Sequence, residues 1–329
     1  MRKSVTLSML LLVASILVLF LLNLFLGSVH IPMDSIWNIL WGLDGDESVI
    51  WQNIIWKSRI PQSLTALVAG AGLAVSGLQM QTVFRNPLAG PSVLGISSGA
   101  SLGVAFVVLL SGSIGGIALS RLGFMDEIAL TVAAIVGALS VMALIVYVSQ
   151  KVHGNVTLLI IGVMIGYVAN AVIGVLKFFS VEEDIRAYVI WGLGSFARVS
   201  GNQVTVFICI MAVLLPLSFL LIKTLNLLLL GDAYARNLGL NIKRARLQVI
   251  ACSGVLVAIV TAYCGPITFL GLAVPHLCRG LFRSSDHRVL MPASLLAGAA
   301  LEKPVSNVFF ANVRLAVNFS NVSDSLLKD

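Results

Sequence analysis

The chain has 329 residues, 58% of them hydrophobic and only 11% charged, with a formal net charge of +7. Soluble domains run at about 45–50% apolar and about 25% charged, so the composition sets aside a secreted domain, a cytosolic enzyme and a nucleic-acid binder. The basic residues sit in short clusters between apolar runs, a pattern that orients a membrane protein.

In chain order, Arg2 and Lys3 precede an apolar run over 5–26. That run exceeds the roughly 7–15 residues of a signal-peptide core. At about 1.5 Å per residue it spans a hydrocarbon layer, so it reads as a retained first transmembrane helix with a cytoplasmic N-terminus. Further apolar runs over 61–82, 93–111, 128–149, 157–179, 204–222, 247–263, 267–283 and 289–301 bring the candidate spans to nine. With the N-terminus inside, twelve Lys and Arg fall in cytoplasmic segments before the tail and six in outer ones. That bias follows the positive-inside pattern.

Small residues recur every four positions at Gly95, Gly99 and Gly103, at Gly162, Gly166, Asn170 and Gly174, and at Ala66, Gly70 and Ala74. Each set lies along one helix face, where small side chains let backbones approach. Tight packing is the plain reading; Asn170 keeps a pathway reading open, because a polar amide in a bilayer needs a partner. Cys209, Cys252, Cys264 and Cys278 form no CxxC pair and read as small buried hydrophobes. The histidines show no metal-ligand spacing, and no metal site is expected.

Two segments between spans carry more than loop character. In 227–246, Asp232 can cap a short helix and Gly239 can end it, with Ala233, Ala235 and Leu238 as small or apolar contacts. Flanked by bases, that helix suits docking onto a cytoplasmic partner, or else it is an ordinary connector. In 271–288, Pro275 interrupts an apolar run and predicts a kinked or broken helix. The chain has no G-x-x-x-x-G-K-[ST] phosphate loop and no carboxylate in the middle of a span. Lys177, the cation inside an apolar run, reads as a snorkelling interfacial anchor. Energy for moving a solute would therefore come from another subunit.

The stretch Arg59-Ile-Pro-Gln-Ser-Leu, then Gly70–Gly77, Gln81 and Arg85-Asn-Pro-Leu-Ala-Gly-Pro-Ser-Val-Leu-Gly95, resembles the permease subunits of ABC importers for iron–siderophore complexes, haem and cobalamin. So do Gly231-Asp-Ala-Tyr-Ala-Arg-Asn-Leu-Gly239, Gly265-Pro-Ile-Thr-Phe-Leu-Gly-Leu-Ala-Val-Pro-His276, Asp286–Pro292 and Trp191-Gly-Leu-Gly-Ser195. The resemblance implies an all-α polytopic membrane protein, here with about nine helices of a ten-helix fold, in a bacterial inner membrane. It implies a homodimer around one path, two ATP-binding cassette subunits docked from the cytoplasm, and a periplasmic or lipid-anchored binding protein outside. ATP and Mg belong to the partner ATPase, and no cofactor is expected on this chain.

Residue by residue, the resemblance assigns ATPase coupling to Gly231, Asp232, Ala235, Arg236, Leu238 and Gly239. It assigns binding-protein docking to Arg59, although the second arginine that the family often carries is Gln62 here. It assigns the inner gate and path to Gly154, Asn155, Val156, Thr157, Gly162, Gly166 and Asn170.

The resemblance covers most of residues 1–300 and stops near Leu301, which divides the chain into a permease domain at 1–301 and an atypical tail at 302–329 with no apolar run long enough for a tenth helix. A shifted reading frame near residue 301 is the expectation for that tail, with a divergent tail as the alternative. The function expected is a permease for an iron chelate such as a ferric siderophore or haem, with cobalamin as the alternative substrate. An ion-coupled secondary carrier and a non-transporting membrane scaffold are the rival classes.

Overall fold

The structure, a computed structural model, describes residues 2–27, 29–43, 49–114, 124–152 and 155–301. The tail at 302–329 and Gly154 lie outside the described residues. Among those described, the regular elements are helices. They are α1 (Arg2–Phe25), α2 (Met33–Trp41), α3 (Val49–Ile54), α4 (Ile60–Phe84), α5 (Ile96–Ile114), α6 (Phe124–Lys151) and α7 (Asn155–Phe178). They continue as α8 (Glu182–Gly192), α9 (Asn202–Phe219), α10 (Ile222–Leu229), α11 (Asp232–Asn237), α12 (Ile242–Cys264), α13 (Leu270–Phe282) and α14 (His287–Leu301).

Six helical stretches among the described residues are long and apolar enough to cross a membrane, and three shorter apolar helices join them. Each coincides with one of the nine runs read from the sequence. The second span starts earlier than its apolar run: α3 passes through a π-helical turn at Ile55–Arg59 into α4, so the helix is continuous from Val49 to Phe84. Lys57 and Arg59 interrupt the hydropathy there and leave the backbone ladder intact. The sequence also missed α2 and α8, which lie between spans. Ile36 and Ile39 of α2 pack with Ile31 and Ile55 in a small cluster of their own, while Trp37 and Trp41 stay exposed, as suits a helix at a membrane–water boundary.

The bundle is built around α4. Its residues 69–84 are all buried, and it packs against α9, α12, α13 and α14. Small residues make this possible. A Cβ at Gly298 of α14 would overlap the carbonyl of Gly70, so the Ala66/Gly70/Ala74 stripe is the seat for α14. The hydroxyls of Ser76 and Ser253 of α12 lie 2.5 Å apart, and each is within hydrogen-bond distance of the other's carbonyl, at 3.1 and 3.2 Å, so the two protons are shared among three contacts. Polar pairs of this kind join helices where apolar burial cannot, because lipid tails solvate apolar side chains as well as protein does.

The glycine stripes sort in the same way. Gly99 and Gly103 of α5 meet the backbone of α6 at Gly137 and Ala133, so this stripe is a helix–helix contact. Gly162 and Gly166 of α7 are buried, with a Cβ at Gly162 falling 2.8 Å from the Cα of Leu94. Asn170 faces outward, and Gly174 has open space where its Cβ would stand. The four-residue repeat on α7 is therefore two features: a packed lower half and an open upper half.

Pro275 does not break its helix, since α13 runs through it. The missing N–H leaves the carbonyl of Gly271 without its ladder donor, and that carbonyl lies against Gly77, where any Cβ would overlap it. Glycine at 77 lets α4 receive the freed carbonyl.

Candidate functional site

Contacts between elements separate the bundle into two ends. At one end meet segments that the charge count assigns to the cytoplasm, and at the other segments that it assigns to the outside.

The last turn of α4 organises the basic end. Arg85 sits in the left-handed region at φ 47°, ψ 37°, a conformation that costs a non-glycine residue about 1–2 kcal/mol. It closes α4 by donating its N–H to the carbonyl of Thr82 at 3.2 Å, while Asn86 donates to Gln81 at 3.1 Å. The turn aims three side chains at four elements. Gln81 donates to the carbonyl of Leu272 at 3.0 Å and accepts from the Arg279 guanidinium, which ties in α13. Thr82 meets His287 Nε2 of α14 at 2.8 Å. Arg85 donates to Asp232 at 2.6 Å and to the Leu228 carbonyl at 3.2 Å, which ties in α11 and α10.

Asp232 is shared. Its second oxygen accepts from Arg246 of α12 at 2.6 Å, so one carboxylate joins α4, α11 and α12. It is not the N-cap that the sequence predicted. Gly231 occupies that position at φ +103°, without a side-chain cap, and Asp232 opens the helix with its charge committed elsewhere. Gly239 does end α11: at φ +85° it donates to Arg236 at 2.9 Å, and Leu240 donates back to Ala235 at 3.0 Å. This is the paired closure that left-handed glycine permits.

The remaining residues that the resemblance assigns to coupling divide by burial. Ala235 is fully buried and fixes α11 to the bundle, whereas Tyr234 and Leu238 are exposed and Arg236, also exposed, lines a cleft shared with α12. The result is a one-and-a-half-turn knob with an exposed face and a rigid back.

A second lock holds α10. The Asn226 side-chain carbonyl accepts from the backbone N–H of His287 at 2.9 Å and from His287 Nδ1–H at 2.8 Å. The Asn226 amide donates to Asp286 at 2.7 Å. The backbone N–H of Arg288, then the Asn226 amide, hold the Asp286 carboxyl below the usual carboxylate range.

The opposite end is joined mainly through the backbone and aromatic rings. Ser195 donates its N–H to Cys264 at 2.7 Å. Lys177 lies 4.8 Å from the centre of the Tyr188 ring. Arg59 is only 6% exposed, and its guanidinium donates to the carbonyls of Leu24, Phe25 and Val29. It satisfies the C-terminal end of α1, whose last carbonyls have no helical donor. The side chain assigned to docking is thus engaged inside the chain, and a partner would meet it only after those contacts open.

Among the gate and path residues, Asn155 opens α7, Val156 and Thr157 are exposed, Gly162 and Gly166 pack against 93–98, and Asn170 faces outward. No group of three or more His, Cys, Asp or Glu able to hold a metal occurs among the described residues. Sequence reasoning quoted Arg85 and Arg246 without assigning them a role. Their partner lies 147 and 14 positions away, and no local pattern links them to it.

The FecCD transport family matches residues 15–309. The chain is 36% identical over 289 residues to the hemin transport system permease protein HmuU of Yersinia pestis, covering 87% of this chain and 83% of that one. It is 37% identical over 249 residues to the vitamin B12 import system permease protein BtuC of Klebsiella pneumoniae, covering 76% and 72%. A solved inward-facing structure, titled as a metal-chelate type ABC transporter, superimposes with a TM-score of 0.77 at 29% identity, covering 91% of this chain and 89% of that one.

Proposed function

The chain belongs to the FecCD transport family, and from that premise we propose that it is the membrane-spanning subunit of an ATP-driven importer of iron chelates, haem or a ferric siderophore. The observation that carries the reading is the knob α11, exposed on one face and bound through Asp232 to both α4 and α12. The basic end is cytoplasmic, with the N-terminus on that side, in the inner membrane of a bacterium. Two ATP-binding cassette subunits receive the exposed face of α11, and the ATP and Mg sit in them. Two copies of this chain enclose the path, with the outward half of α7 and Asn170 on its wall. A binding protein delivers the chelate at the opposite end.

Mechanically, closure of the ATPase pair on ATP displaces α11. Asp232 passes the displacement to α4 through Arg85 and to α12 through Arg246, and α4 carries α13 and α14 with it. No covalent step occurs in this chain. Cobalamin is the second reading, and the similarity to vitamin B12 permeases supports it as well as the hemin permease match supports haem.

The test is uptake in proteoliposomes containing the permease, its ATPase and its binding protein, with haem, a ferric siderophore and cobalamin as cargoes. ATP-dependent entry of haem or the siderophore supports the proposal. Entry of cobalamin alone transfers it to the second reading. Uptake that persists without the ATPase would sink it in favour of an ion-coupled carrier. No flux with any cargo, from a complex that still hydrolyses ATP, favours a scaffold.

A further inference from the structure

We infer that the cleft between α4, α6, α11 and α12 at the basic end binds a phosphate-bearing anion, with the headgroup of an anionic phospholipid as its source. The cleft has a volume of about 450 Å³. Its lining holds four cations, Arg85, Arg236, Lys243 and Arg246, against one acid, Asp232. Both oxygens of that carboxylate are already taken, one by Arg85 and one by Arg246. Arg236 and Lys243 have no acidic partner among the described residues. Four positive charges less one negative leave a net charge of +3 on the lining. The first turn of α12, which begins at Ile242, adds the positive end of a 23-residue helix to the same wall.

The other walls are apolar, formed by Phe84, Val152 and Ile250 among others. An inorganic phosphate would use the cations and leave that surface wet. A phospholipid uses both, with its phosphodiester on Arg236 and Lys243 and its glycerol and first methylenes against the apolar side. Basic pockets between transmembrane helices on the cytoplasmic side select anionic headgroups by this combination. The ion pairs of Asp232 need not break, because the two unpaired cations are the ones left to receive the anion. This inference requires only that the chain span a membrane, so it survives if the iron-chelate reading fails.

The experiment uses the purified full chain, stripped of lipid by detergent exchange. Fluorescent phosphatidylglycerol and phosphatidylcholine are titrated in mixed micelles, and inorganic phosphate is titrated separately, with thermal unfolding as a second readout. Arg236 and Lys243 are both exposed, so the pair R236Q/K243Q is expected to fold. Its unfolding temperature without lipid checks that, and R236K/K243R keeps the charge.

Phosphatidylglycerol should bind more tightly than phosphatidylcholine. The loss should be about fivefold per charge removed and about 25-fold for the glutamine pair, with the charge-preserving pair near wild type. Stabilisation by inorganic phosphate that disappears in the glutamine pair keeps the anion site and makes free phosphate its source. Equal affinity for the two lipids with no response to phosphate, or equal binding by wild type and the glutamine pair, overturns the inference.

Discussion

Helices α4 and α7 both cross the bundle, and they are opposites. The stretch containing α4 is the least apolar of the six long spans, yet 83% of its most apolar window is buried. The corresponding window of α7 is more apolar and only 22% buried. In water the ranking would run the other way, because apolar area is what burial removes from solvent. In a bilayer the lipid accepts Leu, Ile and Val at no cost, so burial goes to helices that offer close backbone approach and hydrogen bonds. Helix α4 offers both, through Gly70, Gly77, Ser76 and Gln81. Helix α7 offers close approach only over Gly162 and Gly166, and its exposed face mixes large apolar side chains such as Val163, Met164 and Tyr167 with Asn170 and Gly174.

The sharpest test of this contrast is one substitution made at two positions. Gly77→Ala places a methyl on the Gly271 carbonyl, and neither backbone can withdraw. The expected loss is about 3 kcal/mol or more, read as a steep fall in the thermal unfolding midpoint and in the yield of folded chain. Gly174→Ala meets open space and should stabilise α7 by about 0.5–1 kcal/mol through helix propensity. Destabilisation of both by similar amounts would erase the distinction between the two helices.

Between those extremes lies Arg59→Ala. It removes a buried cation from three carbonyls and should cost about 2 kcal/mol, with faster proteolysis near the α1–α2 connection as a second sign. If instead stability is unchanged and affinity for the binding protein falls, Arg59 belongs to the outer surface after all. Asp232→Asn should be smaller still, below about 1 kcal/mol, because its side chain is 40% exposed and surface pairs are weak. Its larger effect should be on coupling, with ATP hydrolysis retained and uptake reduced.

The Asp286 carboxyl gives a pH signature. Its value in the fold is lowered, so its stabilisation is complete above the ordinary carboxylate value of about 3.9 and is lost as pH falls through the lowered one. Asp286→Asn should remove that acid limb from a stability–pH profile.

The sequence made the spans legible because twenty apolar residues in a row have few other uses. It made the two ends legible because Lys and Arg are distributed unevenly. The start of the second span was not legible, since the charges of Lys57 and Arg59 hide a helix whose arginine donates to carbonyls 30–35 residues earlier. The short helix at 232–237 was legible, but its logic was not: Asp232 looked like a cap because acids cap helices, and the arginines that claim it arrive from two other helices. Helices α2 and α8 escaped notice because their composition is mixed and their burial one-sided.

Arg85 stands where the backbone geometry asks for glycine. A library of substitutions at that codon would therefore sort in two incompatible orders. Ranked by heat resistance, glycine should do well, since it relaxes the left-handed turn. Ranked by cargo delivered, it should do poorly, since α4 then has no side chain on Asp232 and only Arg246 of α12 still holds it. A position at which robustness and work select different residues is a place where the molecule keeps strain in order to keep a connection.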